Sequence, residues 1–136
     1  MKEILGVLIN PKERKAEKVT FKPTLDEYYR LLGCDLIDYG QRCVGGTNVT
    51  IVCDDEGSFD YTNVISAVNK DSCIMFVGTI LVIGFDNVDG HDTGLTDEQA
   101  DAVLSNVVAA GALDNKGDYS ITKVLTNCEF FEGQEP

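Results

Sequence analysis

The sequence predicts an α+β fold, with two helices packed on one mainly antiparallel sheet in a single domain. Three observations predict it. Thr24 with Glu27 and Thr96 with Gln99 form capping-box patterns, and each opens an amphipathic run. Short β-branched runs separated by turn residues fill most of the remaining chain. No internal repeat or Pro/Gly/Ser-rich linker divides the 136 residues, so one domain is expected over 1–128, with a fraying tail over 129–136.

Residues 4–9 are apolar and β-branched, residues 10–13 interrupt them with turn chemistry, and residues 18–21 resume the pattern as the second arm of a hairpin. Leu25, Tyr28, Tyr29, Leu31 and Leu32 then follow at near-helical spacing, with Gly33 as the stop; packing needs at least one of the two tyrosines. Residues 36–43 and 48–53 read as a second hairpin around Gly45-Gly46, with Val49, Ile51 and Cys53 alternating against Thr50 and Val52. Residues 63–69 fit either one helical turn or a loop. Residues 74–83 are nearly continuously apolar and predict one strand covered on both faces. A helix is expected from Thr96 toward Gly111, with Ala100, Val103, Leu104, Val107 and Val108 on its buried side, and residues 119–125 form a last strand.

Composition excludes several function classes. The chain is 43% hydrophobic and 25% charged, and its 11 Lys+Arg against 23 Asp+Glu leave a net charge of −12. Such a surface repels nucleic acid and anionic lipid, so direct binding to either is not expected. No apolar run approaches the roughly 18 residues of a membrane span, and the start turns charged again by Lys12, so neither export nor insertion is expected and the location is read as cytoplasmic. Five cysteines without any C-x-x-C pair, beside a single His91, lack zinc-site spacing and read as reduced thiols that pack as small hydrophobes. No metal or cofactor is expected. The serines lie in no nucleophile-elbow context and Gly45-Gly46 lacks the spacing and lysine of a phosphate loop, so catalysis has no visible support and the chain is read as a non-enzyme.

The charge is unevenly distributed. Residues 1–42 hold 8 basic and 7 acidic side chains, whereas residues 43–136 hold 3 basic and 16 acidic ones. Asp86, Asp89, Asp92, Asp97, Glu98 and Asp101 fall in a stretch without any Lys or Arg. The dipole of the second helix favours Asp97 and Glu98 in its first turn, but it does not account for the missing cations. Four uses of this acidic region compete: a solvated face that aids solubility, a docking surface for a basic partner, a divalent-metal loop, and acid–base catalysis by paired carboxylates, which needs a pocket. The EF-hand pattern fails at its first and last ligand positions, which fall on Phe85 and Thr96. The leading expectation is therefore a protein-binding face at Asp86, Asp89, Asp92, Asp97, Glu98 and Asp101 that stays unneutralised and meets a basic, nucleic-acid-binding protein. The alternative is a small-molecule or nucleotide-sequestering homo-oligomer with backbone amides near Gly45, Gly46 and Gly78 at its cleft.

Val44-Gly45-Gly46, Asp54-Asp55-Glu56-Gly57, Asn63 and residues 78–84 together resemble a small uncharacterised family encoded by phages and mobile elements, a domain of unknown function. The resemblance covers about residues 4–84. It implies no reaction and no site residue; it implies a setting in which small proteins act on host machinery, which favours a binder.

Overall fold

The computed structural model describes residues 2–55, 64–85, 92–113 and 117–130. It is an α+β domain in which the strands form two mostly antiparallel sheets rather than the single sheet expected. β1 (Ile4–Asn10), β2 (Lys15–Phe21), β3 (Ile37–Val44), β4 (Thr47–Asp54), β7 (Ile80–Gly84) and β10 (Cys128–Glu129) build a six-stranded sheet in the order β10-β3-β4-β7-β1-β2. β5 (Ile65–Val68), β6 (Ile74–Val77), β8 (Val107–Leu113) and β9 (Tyr119–Leu125) build a four-stranded sheet in the order β6-β5-β9-β8. The helices are α1 (Leu25–Leu32) and α2 (Asp97–Ser105), and among the described residues none is long and apolar enough to cross a membrane.

Strand alternation assigns the two faces of the large sheet. Val52, Leu81 and Ile83 join Phe21, Tyr28 and Leu32 beneath α1, whereas Val7, Ile9, Val49, Ile51, Ile80 and Val82 turn the other way. There they pack with Ala100 and Val103 of α2, and with Ala67 and Leu125 of the small sheet. β7 is thus buried on both faces, as its unbroken apolar sequence predicts. Both hairpins form. Gly45 (φ 56°) and Gly46 (φ 90°) make the two-residue turn between β3 and β4, since two consecutive left-handed residues match the twist of the flanking strands.

Three expectations are corrected. The apolar run 74–83 is two strands, because Gly78 adopts φ 76° and its amide bonds the Val64 carbonyl (2.8 Å), sending β6 to the small sheet and β7 to the centre of the large one. The helix from Thr96 stops at Ser105. Asn106 ends it: its side-chain amide donates to the Ala102 carbonyl (2.8 Å), while its own carbonyl accepts from the backbone and hydroxyl of Thr126 (2.8 and 2.6 Å). Beyond it the β-branched Val107 and Val108 alternate inward and outward as strand residues, so tertiary pairing with β9 overrides the helical spacing. Finally, Glu129 belongs to β10 opposite Cys43, and the Arg42 guanidinium lies between the Phe130 and Phe76 rings (4.4 and 5.0 Å), so the folded body extends past residue 128. Residues 64–69 hold strand β5; Asn63 lies outside the described residues.

Candidate functional site

The acidic region begins at a fork in the large sheet. β1 and β7 pair through Val7–Val82, Leu8–Leu81 and Ile9–Ile80, and then part. The segment 93–95 enters the gap: the Gly84 amide donates to the Thr93 carbonyl (2.9 Å) and the Leu95 amide to the Leu5 carbonyl (2.8 Å). Glycine is required here by close approach. A Cβ on Gly94 would lie 2.8 Å from the Leu5 nitrogen and 2.9 Å from the Ile4 Cβ, and one on Gly84 would collide with the Gly94 backbone. The Leu95 side chain enters the larger core, whereas Asp92, three residues earlier, faces the α1 side.

There the Asp92 Oδ2 accepts hydrogen bonds from the hydroxyls of Tyr28 (2.6 Å) and Tyr39 (3.4 Å). The α1 ring of Tyr28 is held edge-on between Phe21 and Tyr39, with centroids 5.6 and 6.4 Å away. Burial, with the hydrogen bond to Asp92, pushes the Tyr28 phenol well above its ordinary range; burial, then the charge of Asp92, pushes Tyr39 up to about 12. Both phenols therefore remain protonated donors at neutral pH. The cluster anchors a carboxylate through two phenol donors.

The remaining described carboxylates lie across the sheet on α2. The Thr96 hydroxyl accepts from the Gln99 amide (3.1 Å) and the Gln99 side chain accepts from the Thr96 amide (2.9 Å), closing the expected capping box. Ala100 and Val103 face the core, which leaves Asp97, Glu98 and Asp101 outward. The side chains of Asp97 and Asp101 are 84% and 68% exposed. Lys18 of β2 reaches both, at 3.7 and 2.8 Å, and the hydrogen bond it donates to Asp101 foremost raises the lysine's pKa.

The sequence expectation is thus redistributed. Asp97, Glu98 and Asp101 share one exposed helix face, Asp92 lies on the opposite side of the large sheet, and Asp86 and Asp89 lie outside the described residues, as does His91. The expectation that no cation neutralises these groups is corrected at Lys18, which the sheet brings to α2 from a distant part of the sequence. Tyr39 was missed altogether, since one aromatic in a polar strand carries no signal; the buried tyrosine expected in α1 is Tyr28. The glycines invoked for a ligand cleft do not converge within one chain. Gly45 and Gly46 precede β4, whereas Gly78 lies beyond the opposite end, where Cys53 pairs with Ile80.

Among the described residues, no cluster of three His, Cys, Asp or Glu side chains could hold a metal ion. All five cysteines are free thiols, and burial pushes Cys53 up to about 11 and Cys128 up to about 12, the opposite of what activates a nucleophilic thiolate.

These elements define a small two-sheet α+β domain with an acidic helix face and a tyrosine-anchored aspartate. Residues 1–120 match the family described as "Domain of unknown function (DUF3846)", and the chain belongs to it. No curated protein and no solved structure matches the chain.

Proposed function

We propose that the protein is a non-enzymatic binding module that docks a basic protein partner through its acidic surface, with the α2 face of Asp97, Glu98 and Asp101 as the principal contact. The single observation that carries this reading is that these three carboxylates lie together on an exposed helix face and meet only one cation there among the described residues, Lys18. Three acids against one lysine leave an excess of negative charge that favours encounter with a positive surface. Asp92, held by Tyr28 and Tyr39 on the opposite side of the large sheet, is a carboxylate separate from that helix face, and with Asp86 and Asp89, its neighbours in sequence, we assign it to a second part of the contact. A DNA- or RNA-binding host protein is the partner class whose charge fits, and direct binding of nucleic acid is not part of the reading. A cytoplasmic, phage- or mobile-element setting completes it; the free thiols agree with a reducing compartment.

The test compares two triple charge reversals of equal net effect, one at Asp97, Glu98 and Asp101, the other at Glu3, Glu13 and Asp26, using a lysine-rich peptide as the probe in calorimetry and a pull-down from host lysate at two salt concentrations. The reading expects the first reversal to abolish salt-sensitive binding and the second to leave most of it. Equal losses in both would show attraction to net charge alone and would sink the proposal.

A further inference from the structure

The four edges of the two sheets are guarded unequally. β2 carries Lys15, Glu17 and Lys18, β10 is only two residues long, and β6 is four residues long with an irregular register against β5. Charge, shortness and bulges are the common means of keeping an edge from pairing with another chain. β8 has none of them: its seven residues, Val107 to Leu113, contain no charge and no proline, and among the described residues nothing pairs with its outer side.

The direction of its free backbone groups follows from one hydrogen bond. The Thr126 amide donates to the Asn106 carbonyl (2.8 Å), and the β8–β9 register sets these two residues opposite one another. Hydrogen-bonded pairs alternate along an antiparallel ladder. Val108, Ala110 and Ala112 therefore spend their amides and carbonyls on β9, whereas those of Val107, Ala109, Gly111 and Leu113 point away from the sheet.

We infer that β8 is a homodimerisation edge, on which a second copy of this chain docks its own β8 antiparallel and joins the two four-stranded sheets into one of eight strands. The strand is self-complementary. With the two-fold axis at Ala110, outward residues meet outward residues, Ala109 opposite Gly111 and Val107 opposite Leu113, and every pair is uncharged. Charge also selects the occupant. In a chain of net charge −12, β8 offers a line along which two copies touch without opposing carboxylates, and it offers nothing to the basic partner proposed for α2. An apolar groove lined by Ile65, Val68, Val108, Ala110, Thr122 and Val124 runs up to this edge, so pairing joins the grooves of the two copies across the two-fold axis.

Sedimentation velocity on the full chain across a concentration series tests this. A monomer–dimer equilibrium is expected that tightens with salt, because screening relieves the mutual repulsion of two acidic bodies over about 10 Å at 0.1 M. That is opposite in sign to the salt response of the α2 surface, so the two proposals fail separately. Ala109→Pro and Gly111→Pro each delete an outward amide while sparing the bonds to β9, and each is expected to weaken the dimer at least about tenfold with cooperative unfolding retained. Hydrogen exchange on the unmodified protein needs no variant: the Ala109 and Gly111 amides should gain protection with concentration, while those of Val108 and Ala110 are protected throughout. A monomer at every concentration, a dimer indifferent to both prolines, or exchange at Ala109 and Gly111 independent of concentration would each overturn the inference.

Discussion

In the six-stranded sheet, β7 sends Leu81 and Ile83 under α1 and Ile80 and Val82 toward α2 and the second sheet, so its core strands have no wet face. In the four-stranded sheet the inner strands are buried as well, at Ser66 and Ala67 of β5 and at Thr122, Val124 and Leu125 of β9, but Val108, Ile121 and Ile74 remain open. The long edge strand of the large sheet is charged and that of the small sheet is not. One sheet is therefore built to hold the molecule together, and the other leaves apolar surface and backbone unpartnered. The difference teaches that the position of a strand in its sheet and the charge it carries, rather than its length, separate structural from available surface here, since β1, β2, β8 and β9 all have seven residues.

The sharpest way to break this comparison is a matched pair of truncations. Ile83→Ala in β7, at a position 1% exposed, should cost about 2–5 kcal/mol through lost burial and the cavity left behind. Ile121→Ala in β9, at a position 60% exposed, should change stability by no more than about 0.5 kcal/mol. Urea midpoints of the two variants measure both; similar shifts would erase the distinction between the sheets. Tyr28→Phe comes next, with an expected loss of about 1.5–3 kcal/mol for a buried hydrogen bond to a carboxylate. Tyr39→Phe should lose less, since its bond is 3.4 Å long and its ring is partly exposed.

Alkaline titration sharpens the same contrast. A phenol whose native pKa lies above its ordinary 10.0 holds its proton longer in the folded chain, so its contribution is fully present below pH 10 and is lost as pH rises. For Tyr39 the loss runs toward about pH 12. The buried thiols of Cys53 and Cys128, raised from 9.0 to about 11 and 12, add a loss with the same sign that starts near pH 9. Urea midpoints should therefore fall in two stages, and Tyr28→Phe should remove most of the second. A flat profile in the native protein would contradict the tyrosine cluster. The smallest effect belongs to Lys18→Ala, because its bridges to Asp97 and Asp101 are exposed; any loss should vanish in high salt.

Local signals in the sequence were informative wherever local chemistry decided the outcome. Both N-caps, the Gly33 stop at φ 66°, the Gly45-Gly46 turn and the alternation of β4 follow from residues only a few positions apart. The split at Gly78 and the early end of α2 were hidden, since each depends on pairing with a distant strand: a buried strand pair reads as one apolar run, and Val107-Val108 suits either period. The candidate site divides in the same way. The exposed acids of α2 were visible from capping and helical spacing, while Lys18 reaches them only through the β1–β2 hairpin, and Asp92 finds Tyr28 and Tyr39 only because 93–95 fills the fork between β1 and β7.

The strand order of the large sheet also bears on how the chain comes to be folded. Its central ladder joins Val7 to Val82, and its border is closed only when Cys128 pairs with Val44. Such distant partners incur loop-closure entropy before any reward arrives, which places the protein among slow folders for its size. During synthesis the first two hairpins leave the ribosome long before their neighbours exist, so the nascent polypeptide carries open strands until Cys128 and Glu129 have emerged.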